Sequence, residues 1–438
     1  MGVKDSFLGK LLGSADRFSS EQVSQTISLL IEHGVKHHAS DIHIEPHERF
    51  ALVRYRIDGA LKGVHKLPIA SLPAVAQQLK ALTHLHVDDD QVPQEGQYSC
   101  LVGEDQFEVQ VNTLPVLGGE KIVLHLSRRL NKPLSLESLG FWGPNLTLVR
   151  ETLTRPHGLI LVATPRRNGK TTTLHSMLQL LNTPAVSIAT IETEIEYRLP
   201  GASQTKVKPQ RGITFYEGLQ AALNQDPNVV MLSSIPDKKT ANTSIEAASG
   251  GHLVLGGLHA DDACNALSHV RAMTDEPYLL AACLKSVISQ RLVRKLCTHC
   301  RERYIPSHAQ VAEIEKAFGI TSASNKRKVH ELEQRASREG IDSNSFANTT
   351  PGRITSLWRA NDEGCEKCGH TGYQGVIAIV EALEVTPALQ KLILEHRPAN
   401  DMLQAALKEG FMPAGLDGLV KALRGQTTIA EILRTNVV

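Results

Sequence analysis

Residues 158–182 read GLILVATPRRNGKTTTLHSMLQLLN, an apolar run followed by a polar loop and a helical pattern. The run GLILVA predicts a buried parallel strand, and HSMLQLLN predicts the helix that follows the loop. A loop in this position that ends in Gly-Lys-Thr can wrap its backbone N–H groups around phosphate oxygens. The stretch therefore predicts a phosphate-binding P-loop within an α/β fold.

The loop departs from the pattern Gly-x-x-x-x-Gly-Lys-Ser/Thr at its beginning. Thr164 occupies the first glycine position, and Arg166 and Arg167 add bulk where such a loop is normally small. In a P-loop the lysine reaches the β- and γ-phosphates, and the hydroxyl that follows it ligates magnesium. The two arginines either clash with phosphates or pair with them, and both alternatives stay open. The candidate nucleotide-binding residues are Pro165, Gly169, Lys170, Thr171 and Thr172.

The segments around this loop predict at least two domains. The apolar runs SIATIE, NVVMLSS and HLVLGGLH alternate with helical patterns, so residues 142–290 are expected to form a parallel α/β sheet. Residues 21–130 combine an amphipathic helix with alternating strands, one pair joined by an Asp-Gly turn signal, and predict an α+β domain. A second helix is predicted over about residues 71–87. Residues 131–141 read as a linker, and residues 1–20 as a frayed tail. Beyond about residue 275 the pattern turns helical, interrupted by pairs of cysteines.

The C-terminal third contains a cysteine pattern typical of a metal site. Four of the seven cysteines form two Cys-x-x-Cys pairs, Cys297 with Cys300 and Cys365 with Cys368. Two such pairs supply the four thiolates of a tetrahedral structural zinc site. The alternative is that each pair forms a turn that binds no metal ion. Residues 291–375 are therefore expected to form a zinc element, with a mobile and partly helical polar insertion between the pairs. His299 reads as a surface residue rather than a ligand.

Composition argues against some functional classes. The chain has 438 residues, 47 basic against 46 acidic side chains and 4% aromatic residues, so a zinc-containing nucleic-acid-binding module has little support. No apolar run approaches the roughly 18 residues of a membrane span, and the N-terminus lacks the apolar core of a secretory signal. Paired cysteines that suit zinc rather than disulfides indicate a reducing compartment, and hence the cytoplasm.

The ordered motifs resemble those of the ATPases of type II secretion and type IV pilus assembly. From about residue 22 to the C-terminus they include ASDIHIEP, PQEGQ, TLPVLGGEKIVL, the GKTTTL loop, GITFYEGLQAALNQDPNVVM, GGHLVLGGLHADDA and CEKCGHTGYQG. The resemblance implies a PAS-like N-terminal domain, a RecA-like P-loop motor domain, a tetracysteine zinc element and a C-terminal helical region over residues 376–438. It also implies a hexamer at the cytoplasmic face of the inner membrane. Members of that family drive pilin or pseudopilin polymerisation together with membrane platform or assembly proteins.

The same resemblance reveals departures at the nucleotide site. The family's Walker B sequence Gly-Glu-Ile-Arg-Asp is replaced by SSIPD, so Ser234 stands at the acidic position. The Asp box Glu-Asp-Pro becomes Glu-Thr-Glu, which places Thr193 at the second acid. The two positions that match the family's arginine fingers are Gln97 and Gln110. The sequence predicts that magnesium binding and transition-state stabilisation are both weakened.

Two catalytic positions of the family are retained, Glu192 and His259. The working hypothesis is that the chain is a pseudo-ATPase or a strongly impaired ATPase subunit. It would assemble as a homo-hexamer or in a mixed ring with active paralogues. It would hold a structural Zn²⁺, and whether it binds ATP and Mg²⁺ is an open question. The alternative is an active ATP-hydrolysing motor, in which Glu194 or Asp237 replaces the lost acids and an arginine acts from the loop.

Overall fold

The computed structural model describes residues 19–37, 39–57, 60–128, 133–341 and 353–437. The chain divides into two compact units, Met1–Asn131 and Lys132–Val438. Most of the predicted N-terminal tail and the turn signal at Asp58-Gly59 lie outside the described residues. Within the described part of the chain, no helix combines the length and the apolar character needed to cross a bilayer.

The N-terminal unit is an antiparallel sheet with two helices. Its elements are α1 (Ser20–Lys36), β1 (Ala39–Pro46), β2 (Phe50–Ile57), β3 (Ala60–Pro68), α2 (Leu72–Leu82), β4 (Gln94–Val102), β5 (Asp105–Val116) and β6 (Gly119–Arg128). The strand order is β3-β2-β1-β6-β5-β4. Helix α1 begins at a capping box formed by Ser19 and Gln22, and it buries Ile27 and Leu30 against the sheet.

Helix α2 ends earlier than the predicted end near residue 87. Its last residue is Leu82, and the backbone N–H of Leu85 returns to the carbonyl oxygen of Lys80. His84 adopts a positive φ of 56° in this reversal. The helical pattern of the sequence continues past this point, but the left-handed residue stops the helix.

The strands of the C-terminal unit are β7 (Gly158–Ala163), β8 (Ile188–Glu192), β9 (Ala202–Lys206), β10 (Val229–Leu232), β11 (Leu253–Leu258), β12 (Leu284–Leu296), β13 (Glu302–Tyr304), β14 (Leu357–Arg359) and β15 (Tyr373–Glu384). Seven of them form one sheet in the order β15-β12-β7-β11-β10-β8-β9. All neighbouring strands of this sheet are parallel except β12 and β15, which are antiparallel. Strands β13 and β14 form a separate two-stranded ribbon.

Helices cover both faces of this sheet. They are α3 (Leu136–Leu139), α4 (Gly143–Leu153), α5 (Lys170–Leu181), α6 (Phe215–Leu223), α7 (Lys238–Ser249), α8 (Ala263–Ala272), α9 (Pro277–Cys283), α10 (His308–Ala317), α11 (Ala323–Arg338), α12 (Pro387–Leu394), α13 (Ala399–Lys408), α14 (Ala414–Leu423) and α15 (Ile429–Leu433). In β7, Leu159 and Leu161 pack with α6 and α7, whereas Ile160 and Val162 pack with α4 and α5. The α/β fold predicted from the sequence is confirmed, and the loop after β7 lies at the carboxyl ends of the parallel strands.

The sequence beyond about residue 275 was expected to be helical, and this expectation is wrong for two segments. Strand β12 pairs with β7 and β15, and both long strands belong to the main sheet. Central residues of β12, such as Val287 and Ile288, are fully buried. A strand buried on both faces shows no clear alternation, so its pattern does not distinguish it from a buried helix.

Part of the polar insertion is a packed helix. Helix α11 buries Leu332 and Ala336 in a cluster with Trp142 and Met412. The opposite side of α11 is charged, which explains why the segment reads as polar along the chain. Residues 342–352 of the insertion lie outside the described part of the chain.

Candidate functional site

The loop after β7 is fixed at both ends. Thr164 is fully buried, and its backbone N–H donates to the carbonyl oxygen of Leu258 over 3.2 Å. Arg167 and Gly169 have positive φ angles of 62° and 79°. A Cβ atom at Gly169 would lie 2.9 Å from Nε2 of Gln290, so glycine is required there on two grounds. Arg167 occupies a conformation that costs free energy in a residue of its type.

Two amides outside the Gly-Lys-Thr motif hold the loop in place. Nε2 of Gln290 donates to the carbonyl oxygen of Asn168 over 2.7 Å, while its Oε1 accepts from Oγ1 of Thr173 over 2.7 Å. Oδ1 of Asn168 accepts from the backbone N–H of Leu292 over 2.9 Å. The role of Gln290 is not apparent from the sequence, because Gln290 lies far along the chain from the loop, in β12, a segment whose pattern reads as helical. Only the strand pairing reveals its contact with the loop.

Lys170 opens α5, and its amine lies 3.3 Å from Nε2 of His259. Nδ1 of His259 lies 3.1 Å from the carbonyl oxygen of Thr164, which can only accept, so Nδ1 carries the proton and Nε2 is an acceptor. Burial lowers the pKa of Lys170 to about 8. Burial, together with the charges of Lys170 and Arg166, lowers the pKa of His259. The lysine therefore faces a neutral imidazole in this contact rather than a carboxylate.

All five candidate nucleotide-binding residues lie on the loop or in the first turn of α5, and all are half-buried; they are Pro165, Gly169, Lys170, Thr171 and Thr172. Oγ1 of Thr172 accepts from the hydroxyl of Tyr197 over 3.4 Å. The beginning of a helix presents unpaired backbone N–H groups and a positive partial charge, which suits an anion. The structure thus brings these residues together at one helix start, where phosphate chemistry is physically reasonable.

Glu192, at the end of β8, is fully buried. One carboxylate oxygen lies 2.7 Å from Nε2 of His175. The other accepts from the Thr190 hydroxyl over 2.7 Å and from Nε2 of Gln204 over 3.0 Å. Both oxygens are engaged within the unit, so a contact with a ligand requires that these hydrogen bonds break. The catalytic role of Glu192 stays a prediction.

Hydroxyl groups meet at two positions next to the end of this strand. The backbone N–H of Thr193 donates to Oγ of Ser233 over 3.1 Å, and the two hydroxyl oxygens are 3.3 Å apart. Thr193 stands where the resemblance places an acid of the Asp box, and Ser233 begins the segment that matches Walker B. Paired hydroxyls satisfy each other without introducing the charge that a metal ion needs.

The backbone on either side of Ser234 packs against Gly257, which lies next to Lys170. The backbone N–H of Ile235 donates to the carbonyl oxygen of Gly257 over 2.8 Å. A Cβ atom on Gly257 would lie 2.3 Å from the carbonyl oxygen of Ser233 and 3.0 Å from Cδ of Lys170. Ser234, which matches the Walker B acid, lies between these backbone contacts in the chain and carries only a hydroxyl.

The two acids considered as replacements have other partners. Glu194 forms a salt bridge of 2.5 Å with Lys206. Oδ1 of Asp237 accepts from the backbone N–H and the hydroxyl of Thr240 over 2.9 and 3.0 Å, and so caps α7. Each carboxylate thus already serves an ion pair or a helix cap through one of its oxygens, and a metal ion would compete with that contact.

The two glutamines at the arginine-finger positions lie side by side in the N-terminal unit. Gln97 in β4 and Gln110 in β5 are directly opposite each other in the antiparallel ladder. Nε2 of Gln110 donates to the carboxylate of Glu95. Because directly opposed residues share one face of a sheet, the two positions form a single patch that is polar and uncharged at both glutamines.

The four cysteines of the two Cys-x-x-Cys pairs converge on one point; all four sulfur atoms lie within 4.8 Å of one another. Measured separations are 3.8 Å for Cys297–Cys365, 3.8 Å for Cys300–Cys368 and 3.7 Å for Cys365–Cys368. Tetrahedral zinc with Zn–S bonds of about 2.3 Å places its sulfurs about 3.8 Å apart. The donor set and its spacing therefore fit such a metal ion.

The surroundings of Cys368 favour its thiolate, whereas burial and the neighbouring thiols raise the pKa of Cys300. The backbone N–H groups of Cys365 and Gly372 lie 3.2 and 3.3 Å from the sulfur of Cys368. Burial alone would raise the pKa of Cys368, but these donors lower it to about 6. His299 is exposed and contacts Nζ of Lys367 instead of the cluster, in line with the sequence analysis.

Comparison with known proteins identifies the family. The family model described as "Type II/IV secretion system protein" matches residues 16–434. The chain belongs to this family. The resemblance stated from the sequence motifs is thereby confirmed.

Sequence similarity to individual proteins agrees with the assignment to the type II/IV secretion system family. The chain is 35% identical over 399 residues to "Type IV pilus assembly ATPase PilB" of Thermus thermophilus, covering 91% of this chain and 41% of that protein. It is 34% identical over 414 residues to "Type II secretion system protein E" of Aeromonas hydrophila, covering 94% of this chain and 75% of that protein. The chain thus spans less than half the length of the first relative and three quarters of the second.

A solved structure with the same fold is the Legionella pneumophila ATPase DotB. It matches with a TM-score of 0.64 at 15% identity, over 97% of each chain. At this identity the likeness establishes the fold alone. This chain therefore shares its α/β architecture with the ATPase DotB.

Proposed function

We propose that this chain is a degenerate ATPase subunit of a type II secretion or type IV pilus assembly machine. In this proposal the RecA-like P-loop domain and the PAS-like N-terminal domain are retained as a scaffold, while most of the hydrolytic chemistry has been lost. The observation that carries the proposal is the chemistry at the carboxyl ends of β8 and β10: Ser234 and Thr193 offer hydroxyls where the family has acids, and Glu192 is enclosed by its own hydrogen bonds.

The expected effect on hydrolysis is large. Phosphoryl transfer depends on Mg²⁺ and on cations that offset charge on the transferred group. Ser234 cannot anchor a hydrated metal ion as a carboxylate does, and Gln97 and Gln110 carry no charge. Loss of an arginine finger alone lowers rates by roughly 10³–10⁵-fold. We infer that the isolated chain hydrolyses ATP very slowly or not at all, and that Glu192 and His259 survive as structural residues of the former site.

Nucleotide binding is a separate matter from hydrolysis. The loop keeps Gly169, Lys170 and Thr171 at the beginning of α5, where backbone N–H groups and the lysine would hold phosphates. Pro165 and Thr172 would border the same pocket. When bound, ATP would serve to fix the conformation of the subunit rather than to supply work by turnover.

The four-cysteine cluster is proposed to hold a structural Zn²⁺. Support comes from sulfur separations of 3.7 to 3.8 Å and from the backbone donors to Cys368. Four protein thiolates fill the coordination sphere of the ion, so the site would stabilise the fold and take no part in catalysis.

The partners follow from the family. We propose assembly as a homo-hexamer or as a mixed ring with active paralogues, peripheral at the cytoplasmic face of the inner membrane. Contacts with the membrane platform or assembly proteins of the machine would then be the main contribution of the chain. Its relatives are named for pilus assembly and for type II secretion, and both systems remain within the proposal.

Titration calorimetry with ATP tests the retained binding. Lys170→Ala is expected to weaken ATP binding by roughly 10–100-fold, because a charge-assisted hydrogen bond to phosphate is lost. Lys408→Ala, which removes an exposed lysine from α13, is the matched control and should leave the affinity unchanged. Absence of any heat with the unmodified chain would remove nucleotide binding from the proposal. Equal affinity in the Lys170→Ala variant would place the nucleotide elsewhere.

A further inference from the structure

Three acidic residues lie at or after the carboxyl ends of β8 and β10, and each already has protein partners. Glu192 is enclosed by His175, Thr190 and Gln204. Glu194 is held in an ion pair with Lys206, and Asp237 caps helix α7. A ligand at any of them would therefore compete with an existing hydrogen bond or ion pair.

The pocket offers few of the carboxylate ligands that a bound Mg²⁺ needs. Magnesium prefers oxygen ligands, keeps several of its waters and depends on carboxylates to hold the ion or those waters. Thr193 and Ser233 form hydrogen bonds with each other, and Ser234 is uncharged. Of these side chains and the ligand itself, the Thr171 hydroxyl and the phosphates of the nucleotide would have to position the ion.

Positive charge is supplied by the chain itself. Lys170 lies at the helix start, and Arg166 is close enough to His259 for its charge to act on that imidazole. Arg166 and Arg167 are both exposed on the loop, where a guanidinium can pair with phosphate through two hydrogen bonds. Magnesium cancels part of the charge of a triphosphate and so weakens its attraction to such groups.

We propose that the pocket binds the polyphosphate of a nucleotide without Mg²⁺, with Lys170, Arg166 and the beginning of α5 supplying the positive charge. This inference rests on the proposed function, because it requires that the loop binds nucleotide at all. It assigns the loop arginines to phosphate pairing rather than to a clash. It also explains how the chain can hold ATP in a state that cannot be hydrolysed.

Calorimetric titration of the full chain with ATP, once in EDTA and once in excess Mg²⁺, tests the proposal. The dissociation constant in EDTA is expected to equal or lie below the value in Mg²⁺. Binding at least tenfold weaker in EDTA would overturn this inference and leave the proposed nucleotide binding intact. Absence of binding in both buffers would overturn both.

Two pairs of variants sharpen the test. Ser234→Glu is expected to weaken binding in EDTA at least tenfold and to make it depend on Mg²⁺, whereas Ser234→Gln should leave the metal response unchanged. Arg166→Gln is expected to weaken binding in EDTA roughly tenfold. Its control is Arg155→Gln, an exposed arginine at the other end of β7. Equal affinities for Arg166→Gln and the unmodified chain in EDTA would contradict the assigned role of the arginine.

Discussion

The Cys368→Ser variant is expected to melt at a markedly lower temperature than the unmodified chain. The cluster joins the end of β12 to the segment before β15, where the backbone N–H of Cys297 donates to the carbonyl oxygen of Gly372 over 3.0 Å. A loss of about 3 kcal/mol, a fraction of the free energy of structural zinc binding, would lower the Tm by roughly 6–12 °C. Differential scanning calorimetry measures this shift directly.

The control for this experiment is Cys100→Ser, which changes a half-buried thiol of the N-terminal unit outside the cluster. A zinc chelator should lower the Tm of the unmodified chain and of the control variant by similar amounts. It should have little further effect on Cys368→Ser. A melt of the unmodified chain that does not respond to chelator, with no zinc found by elemental analysis, would contradict the zinc proposal.

Restoring the lost charges is expected to raise ATP hydrolysis by about 10³-fold or more. The variant combines Thr193→Asp and Ser234→Glu with Gln97→Arg and Gln110→Arg. The first pair returns carboxylates to the segments that follow β8 and β10, and the second returns two cations to neighbouring positions on β4 and β5. Steady-state phosphate release with saturating ATP and Mg²⁺ is the measurement.

A matched control carries Thr193→Asn and Ser234→Gln, which reproduce the shapes of the restored acids without their charge. This control should hydrolyse ATP no faster than the unmodified chain. If the restored variant folds, binds ATP and still releases phosphate at the background rate, the missing charges are not what limits hydrolysis. Loss of these charges would then not be the main physical cause of slow hydrolysis at this site.

The parts of the molecule that the sequence predicts well depend on short, continuous signals. The run from Gly158 to Asn182 contains strand, loop and helix in order, so its local structure follows from its own pattern. The two Cys-x-x-Cys pairs are recognised by residue type and spacing, and the structure brings their four sulfurs together. Motif order was specific enough to identify the family, which the family model confirms.

The parts that the sequence did not predict depend on contacts between distant segments. Gln290 holds the loop from β12, and nothing in its neighbourhood in the sequence indicates that role. Strand β12 reads as a possible helix because it is buried on both faces. The packing of α11 on Trp142 is equally invisible in a segment rich in charge. In each case tertiary burial, which local pattern does not encode, decides the outcome.

Lys170-dependent phosphate release tests the central claim most directly. The unmodified chain and the Lys170→Ala variant are compared as isolated polypeptides in saturating ATP and Mg²⁺. We expect both to release phosphate at the same background rate, because the pocket beside Lys170 lacks an available carboxylate at the Walker B position and the N-terminal unit lacks both finger arginines. Rapid release by the unmodified chain that the Lys170→Ala change abolishes would contradict the account.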